Sequence, residues 1–288
     1  MKRSFIPVAF VFVTLVLGVS LISPASLPAL ECDPDSISIA TWNIRILSDG
    51  SRDDGELRQI ARILERYDVI AVQELRDPEV VARLLRILPD YDAIISDPVG
   101  RGVTERYAVF FRNTLPITIL EEPFLFPDPA DQFIREPWVV WMRAGEFDFI
   151  LVTIHVIYGD RVADRRAEIS LLDDLLHAVE SSFPEESDIL LLGDFNRDAT
   201  DEAWEMGNRR ALVNRERKTT ITDTSSFDNI WLPPATMSEY AGGDGSPGVV
   251  EIYPFDEIDF GNDDRAASRA VSDHRPVATC FRADRDDD

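Results

Sequence analysis

The chain has 288 residues, 45% of them hydrophobic, with 53 acidic residues against 29 basic ones and a net charge of -24. That apolar content excludes a largely disordered chain, and the length suits one α/β core. The charge excludes a surface that is basic overall. It fits a protein that binds no polyanion, one whose acidic surface lies away from a locally basic site, or one working at high salt, where the Debye length shrinks to about 3 Å at 1 M.

Lys2 and Arg3 precede an apolar run over 5–22, and small residues follow up to Ala25 and Ala29. That order describes a secretory signal peptide cleaved after Ala25 or Ala29, with an uncleaved anchor as the alternative. Glu31 directly before Cys32 does not suit a lipidation site. The expected organisation is a leader over 1–30, one domain over 31–283 and an acidic tail over 284–288 lacking fixed structure, in an extracytoplasmic protein. Lys2 and Lys218 are the only lysines, so nearly all cations are Arg. An Asp-rich, Lys-poor surface of this kind is similar to those of halophilic proteins.

Behind the leader, alternation over 36–47 predicts a strand, and apolar residues at helical spacing predict a helix over 56–67. A short apolar strand follows at 68–72, then a helix over 78–88. Strands are expected at 91–96, 107–112, 117–120, 138–143 and 147–156, and the longest helix at 164–181. Further strands fit 188–192, 221–224, 228–231 and 277–281, and the Gly- and Ser-rich stretch 236–248 is a mobile loop. Consecutive strands separate about three helices. The expected fold is therefore α+β, two packed sheets with helices outside them, and not a doubly wound sheet. Cys32 precedes the first strand and Cys280 ends the last. The two can meet if those strands are antiparallel neighbours, and are otherwise free thiols.

Polar residues stand at the ends of the apolar runs, where a rigid sheet holds loops in place. Asn43 follows ISIATW, and Glu74 follows DVIAVQ. A carboxylate beside so apolar a strand must be paired, hydrated or bound to a cation. His155 follows FILVTI, and His274 sits in Ser272-Asp273-His274 before another apolar run. Two of the three histidines thus lie at strand ends near acidic residues, which favours acid–base chemistry over a core role. The third, His177, lies on a helix as a surface residue. Asp194 and Asn196 follow DILLLG, and alternation puts both on one face with Phe195 on the other.

In this order Trp-Asn, Gln-Glu, His after a strand, Gly-Asp-Phe-Asn and Ser-Asp-His resemble the endonuclease/exonuclease/phosphatase superfamily over roughly 37–281. Finer segments resemble its deoxyribonuclease I-like branch: Asn43-Ile44-Arg45, Gln73-Glu74-Leu75-Arg76-Asp77, Glu105-Arg106-Tyr107, Arg135-Glu136-Pro137, Phe227-Asp228 and Pro254-Phe255-Asp256. The resemblance implies a four-layer α/β/β/α sandwich. It implies that Glu74 holds Mg2+, with Mn2+ as a substitute, near Asn43 and Asp273. Glu105 would orient His155 and Asp228 would orient His274. One His would take a proton from water while the other protonates the leaving oxygen. His274 is the favoured base and His155 the acid, with the reverse assignment open.

By the same resemblance Asp194 and Asn196 would position water or metal and Arg135 would bind the scissile phosphate. Arg45 and Arg76 match positions that reach into a DNA minor groove. The implied function is a secreted, monomeric endonuclease acting on duplex DNA, with no membrane association once the leader is cleaved. A phosphodiesterase or phosphatase on lipid headgroups or small phosphoesters is the alternative, and a non-catalytic binding module comes third. Val103 stands where the branch has Tyr. Residues 121–131 lack the branch's small disulfide loop. No calcium ligands of the branch can be matched here.

Overall fold

The computed structural model describes residues 30–233, 237–242 and 248–288. The expected leader lies outside the described residues except for Leu30. Of the loop 236–248, residues 237–242 and 248 are described. No helix among the described residues is long and apolar enough to cross a membrane.

The first half contains β1 (Ser36–Leu47), α1 (Asp54–Leu64), β2 (Val69–Leu75), α2 (Pro78–Ile87), β3 (Tyr91–Ile95), β4 (Arg106–Arg112), β5 (Ile117–Ile119), β6 (Phe124–Leu125) and β7 (Trp138–Ala144). The second half adds β8 (Phe147–His155), α3 (Val162–Ile169), α4 (Leu172–Ser182), β9 (Ile189–Asp194), β10 (Arg210–Ala211), β11 (Asp228–Leu232), β12 (Val250–Ile252), α5 (Phe255–Ile258), α6 (Asp264–Ala270) and β13 (Val277–Arg282). One sheet has the order β12-β13-β1-β2-β4-β3, and the other β10-β11-β9-β8-β7-β5 with β6 also on β7.

Period-two alternation builds the four layers. On β1 and β2, Ile37, Ile39, Val69 and Ala71 face the other sheet, whereas Ala40, Trp42, Ile70 and Val72 face α1, α2 and α6. On β8 and β9, Phe149, Leu151, Leu190 and Leu192 face inward, whereas Ile150, Val152, Ile189 and Leu191 pack under α4. These central strands are buried on both faces, which is why they appear as unbroken apolar runs.

Each half contains one parallel crossover. β1 and β2 are parallel and joined through α1, and β8 and β9 are parallel and joined through α3 and α4. Four central strands therefore end at the same edge of the sandwich. α1 begins at a capping box between Asp53 and Glu56, and α2 begins with Asp77 accepting the Val80 amide and Pro78 in its first turn.

Two expected elements differ. The helix expected over 164–181 is two helices, α3 and α4. The buried Glu168 carboxylate fixes α3 by accepting the Ile134 and Ile157 amides, and the chain turns tightly at Ser170 and Leu171. The stretch 221–224 is a turn and not a strand. Thr220 Oγ1 accepts the Ser225 amide, the Thr219 amide donates to the Ser225 carbonyl, and Asp223 sits at φ 54°. Short polar side chains here satisfy the backbone locally and compete with strand pairing.

β1 and β13 are antiparallel neighbours, and a disulfide joins Cys32 to Cys280 with their Cα atoms 5.6 Å apart. The 284–288 segment lies against the rest of the protein. The Ser187 and Ser238 amides donate to the side chains of Asp288 and Asp287.

Candidate active site

Along each central strand, the face that carries Ile and Leu between the sheets turns polar near one edge. On β1 the inward series Ile37, Ile39 continues as Thr41 and Asn43. On β8 Leu151 is followed by Thr153 and His155, and on β9 Leu192 is followed by Asp194. β4 and β11 run the other way, so Glu105, just before β4, and Asp228, which opens β11, arrive at the same edge. A buried Gln73 closes the apolar layer beneath them, bonded to Thr41 (3.1 Å) and Thr153 (3.0 Å).

Glu74 needs an extra device. Alternation alone would send it to the outer face with Ile70 and Val72. A register shift against β4 between Val72 and Leu75, with Glu74 at φ 61°, re-aims its carboxylate into the cleft. Gly193 is equally constrained. Its φ is 145°, and a Cβ there would lie 1.9 Å from the Ile154 carbonyl oxygen, so only glycine lets β9 lie this close to β8.

Two histidine–carboxylate pairs face one another across the cleft. His155 Nδ1 meets Glu105 Oε1 at 2.6 Å, with Glu105 almost wholly buried. His274 Nδ1 meets Asp228 Oδ2 at 2.8 Å, and Thr219 donates to that carboxylate at 2.6 Å. Both Nε2 atoms point at the same oxygen, Asp194 Oδ2, each 3.7 Å away. Asn43 donates to Asp194 Oδ2 at 2.9 Å and to Glu74 Oε1 at 3.2 Å. Asp194 Oδ1 accepts the amide of Asn196, whose side chain donates to the Val156 carbonyl.

Burial disfavours a charged imidazole, but the surrounding carboxylates outweigh it. Asp228, Asp194 and Asp273 hold His274 up at about 10, and Glu105 holds His155 above its ordinary value. Burial raises the Glu74 carboxyl, but His155, the Ile46 amide and Asn43 outweigh it and keep it below the usual value.

The cleft between these residues encloses about 490 Å³ and is lined among others by Arg45, Arg76, Tyr158, Thr222, Thr224 and Phe227. Asp273 sits on its rim, 3.7 Å from Arg45 Nε, and has no bond to Glu74 or Asn43. Arg76 pairs with Glu74 at 3.2 Å and lies 3.7 Å from Glu105. Arg135 is not in the lining. Its Nε is 2.9 Å from Glu105 Oε1, and it donates to the His155 carbonyl at 3.3 Å. The structure thus gathers Asn43, Glu74, Glu105, His155, Asp194, Asn196, Asp228 and His274, with Arg45, Arg76 and Asp273 at the rim and Arg135 behind. His177 is far from this chemistry and pairs with Asp173 and Glu180 on α4.

Sequence reasoning passed over the Thr41–Gln73–Thr153 layer and Thr219. Alternation carried two residues back from Asn43 and His155 would have found Thr41 and Thr153. Thr219 lies in an irregular loop, where no periodicity marks it.

Residues 40–274 match the endonuclease/exonuclease/phosphatase family. A deoxyribonuclease of Thioalkalivibrio sp. (strain K90mix) is 29% identical over 262 residues, 85% of this chain and 71% of that one. Deoxyribonuclease-1 of Bos taurus is 30% identical over 269 residues, 84% of this chain and 91% of that one. Among solved structures, an endonuclease/exonuclease/phosphatase family protein from Bacteroides thetaiotaomicron shares the fold with a TM-score of 0.57 at 17% identity, over 86% of this chain and 98% of that one.

The class is therefore an enzyme that hydrolyses phosphodiesters, built on an α/β/β/α sandwich. The chain belongs to the endonuclease/exonuclease/phosphatase family, in its deoxyribonuclease I-like branch.

Proposed function

We propose that the protein is a secreted, Mg2+-dependent endonuclease that cuts the backbone of duplex DNA. The observation that carries this is the pair of histidines whose Nε2 atoms converge on Asp194 Oδ2 while buried carboxylates hold their Nδ1 atoms. Each carboxylate fixes the tautomer that leaves Nε2 facing the cleft. A phosphodiester bound between them places water near one imidazole and the leaving oxygen near the other. His274, in its neutral form, accepts the proton of the attacking water, so the rate should rise toward the high pH at which that imidazole deprotonates. His155 donates to the leaving 3′ oxygen. Asp194 and Asn43 align the water and the phosphate oxygens, and Arg135 positions the Glu105–His155 pair.

A hard divalent ion suits the oxygens present. Asn43 Oδ1 is buried without a hydrogen-bond partner, and Glu74 lies beside it with its carboxylate held ionised. Glu74 and Asn43 would hold Mg2+, with Asp273 on the rim of the same cleft. Bound there, it would neutralise phosphate charge. That matters because two arginines in the cleft, Arg45 and Arg76, face three carboxylates, Glu74, Asp194 and Asp273.

Duplex DNA is the favoured substrate because two relatives carry the name deoxyribonuclease and because Arg45 and Arg76 flank the cleft. Secretion is supported by the basic and apolar start of the sequence and by the Cys32–Cys280 disulfide, which needs an oxidising compartment. The weakly charged cleft favours one competitor, a phosphodiesterase for small or lipid phosphoesters.

A panel of supercoiled plasmid, single strands, RNA and phospholipid, assayed with Mg2+ and with EDTA, tests the proposal. Plasmid nicking that needs the metal and disappears in His274→Ala is expected. Nicking that survives EDTA would sink the metal role, and turnover of phospholipid alone would sink the substrate.

A further inference from the structure

The far edge of the sandwich holds a second collection of acids that the nuclease chemistry does not use. Asp188 precedes β9 on the same face as Asp194, six residues and about 20 Å away along the strand. One oxygen each of Asp188, Glu239 and Asp287 lies within 4.8 Å of the others. Asp188 is 1% exposed and Glu239 fully buried. Asp188 Oδ2 and Glu239 Oε2 have no hydrogen-bond partner, and none of the three carboxylates has an ion pair among the described residues. Asp148, Asp286 and Asp288 form a second trio, in which two members are exposed and Asp148 is already paired with Arg143 at 2.7 Å, and Glu186 lies close by.

Ser238 donates to Glu239 Oε1 and to Asp287, but the remaining buried oxygens of like charge have no donor, which is costly. Burial, then Glu239, Glu186 and the two last aspartates, push the Asp188 carboxyl up to about 9. A cation removes the conflict. Ca2+–oxygen distances of about 2.3–2.6 Å put two ligand oxygens at most about 5 Å apart, which matches the trio. Mg2+ keeps its waters and suits so crowded a set of anionic oxygens less well.

We propose that Asp188, Glu239 and Asp287 form a divalent-cation site of the Ca2+ type that fastens the 284–288 segment and the 237–242 segment to the start of β9. The site is structural and independent of the cleft. The ion bridges two buried acids to an exposed one, so the acidic segment docks only when the ion is bound.

The test uses the full chain stripped with chelator and titrated with CaCl2 or MgCl2 alone. Calorimetry should show one more Ca2+ bound per chain in wild type than in Asp188→Asn. Ca2+ should raise the Tm of wild type by roughly 5–10 °C at a hundredfold excess over Kd. It should also slow tryptic cleavage after Arg285 at least about tenfold. Asp188→Asn should lose both responses yet keep the Mg2+-supported phosphodiesterase rate. Asp287→Asn, at an exposed position, repeats the test should Asp188→Asn fail to fold. Equal Ca2+ stoichiometry in wild type and variant, a wild-type Tm that ignores Ca2+, or a variant that keeps the response would each overturn the site. None of these outcomes bears on the histidine mechanism, because the Mg2+-supported rate is read separately.

Discussion

The two ends of β9 carry the same side chain in opposite circumstances. At one end Asp194 accepts from Asn43 and the Asn196 amide and is flanked by two imidazoles. At the other, Asp188 is surrounded by other carboxylates, and Oδ2 has no donor. Burial is the same, since each is 1% exposed. A buried acid is thus made usable by its partners. Asp194 is neutralised by groups from β1, from β8, from the turn after β9 and from the segment before β13, whereas Asp188 has acids beside it and awaits a counter-ion from solution.

The largest way to break this comparison is to remove a histidine. His274→Ala or His155→Ala should each lower kcat by about a thousandfold to ten-thousandfold, and the double variant should lose little more, because the two act as a unit. Steady-state plasmid nicking checks this. Additive losses would mean that the histidines do not share one reaction. Tm should fall in both cases, because each substitution leaves a buried carboxylate, Glu105 or Asp228, without its imidazole, so kcat is read on the folded fraction.

Asp228→Asn should cost about a hundredfold to a thousandfold and also move the pH profile. Asp228 raises the His274 pKa, so removing its charge lowers that pKa. The neutral imidazole then forms at lower pH, and the rising limb of the rate shifts to lower pH. If His274 is the acid instead, the falling limb shifts to lower pH. Which limb moves thus assigns the two histidines.

These pairs show what a sequence can reveal and what it cannot. Asn43, His155 and Asp194 lie at the ends of apolar strands, where alternation and strand ends mark them without a structure. Glu74 was found next to its strand, but its aim depends on a left-handed residue and a register shift that composition does not announce. The stretch 221–224 is expected as a strand because Ile221 and Thr224 have strand propensity, while the hydroxyl bonds that close the 219–225 loop are tertiary facts. The acidic site was hidden altogether. Its members, at 188, 239 and 287, come from three segments with no shared motif, and the last of them was expected to lack fixed structure.

The Cys32–Cys280 bridge fastens β13 at the same edge as the acidic cluster. Cys280→Ser should lower stability by about 2–5 kcal/mol in denaturant melts and leave the nicking rate of the folded fraction unchanged. Most catalytic residues are held by other strands, and His274 precedes β13 at its opposite end from Cys280, so the two edges should fail separately. A loss of kcat as large as the loss of stability would show that strain at the far edge reaches the site.

The smallest effect is expected at Arg45. Its side chain is nearly half exposed, and Asp273 lies 3.7 Å away, so solvent and salt already screen its charge. Arg45→Ala should raise KM for duplex DNA only about threefold to tenfold and leave kcat alone, because the guanidinium touches substrate and not the reacting atoms. The effect should shrink further as salt rises. A small aryl phosphodiester, too short to span from the cleft to Arg45, should be cut at the wild-type rate. Equal losses on both substrates would place Arg45 at the phosphate itself. No loss on either would remove the groove contact and leave Arg76 as the only cleft arginine supporting DNA over a smaller ester.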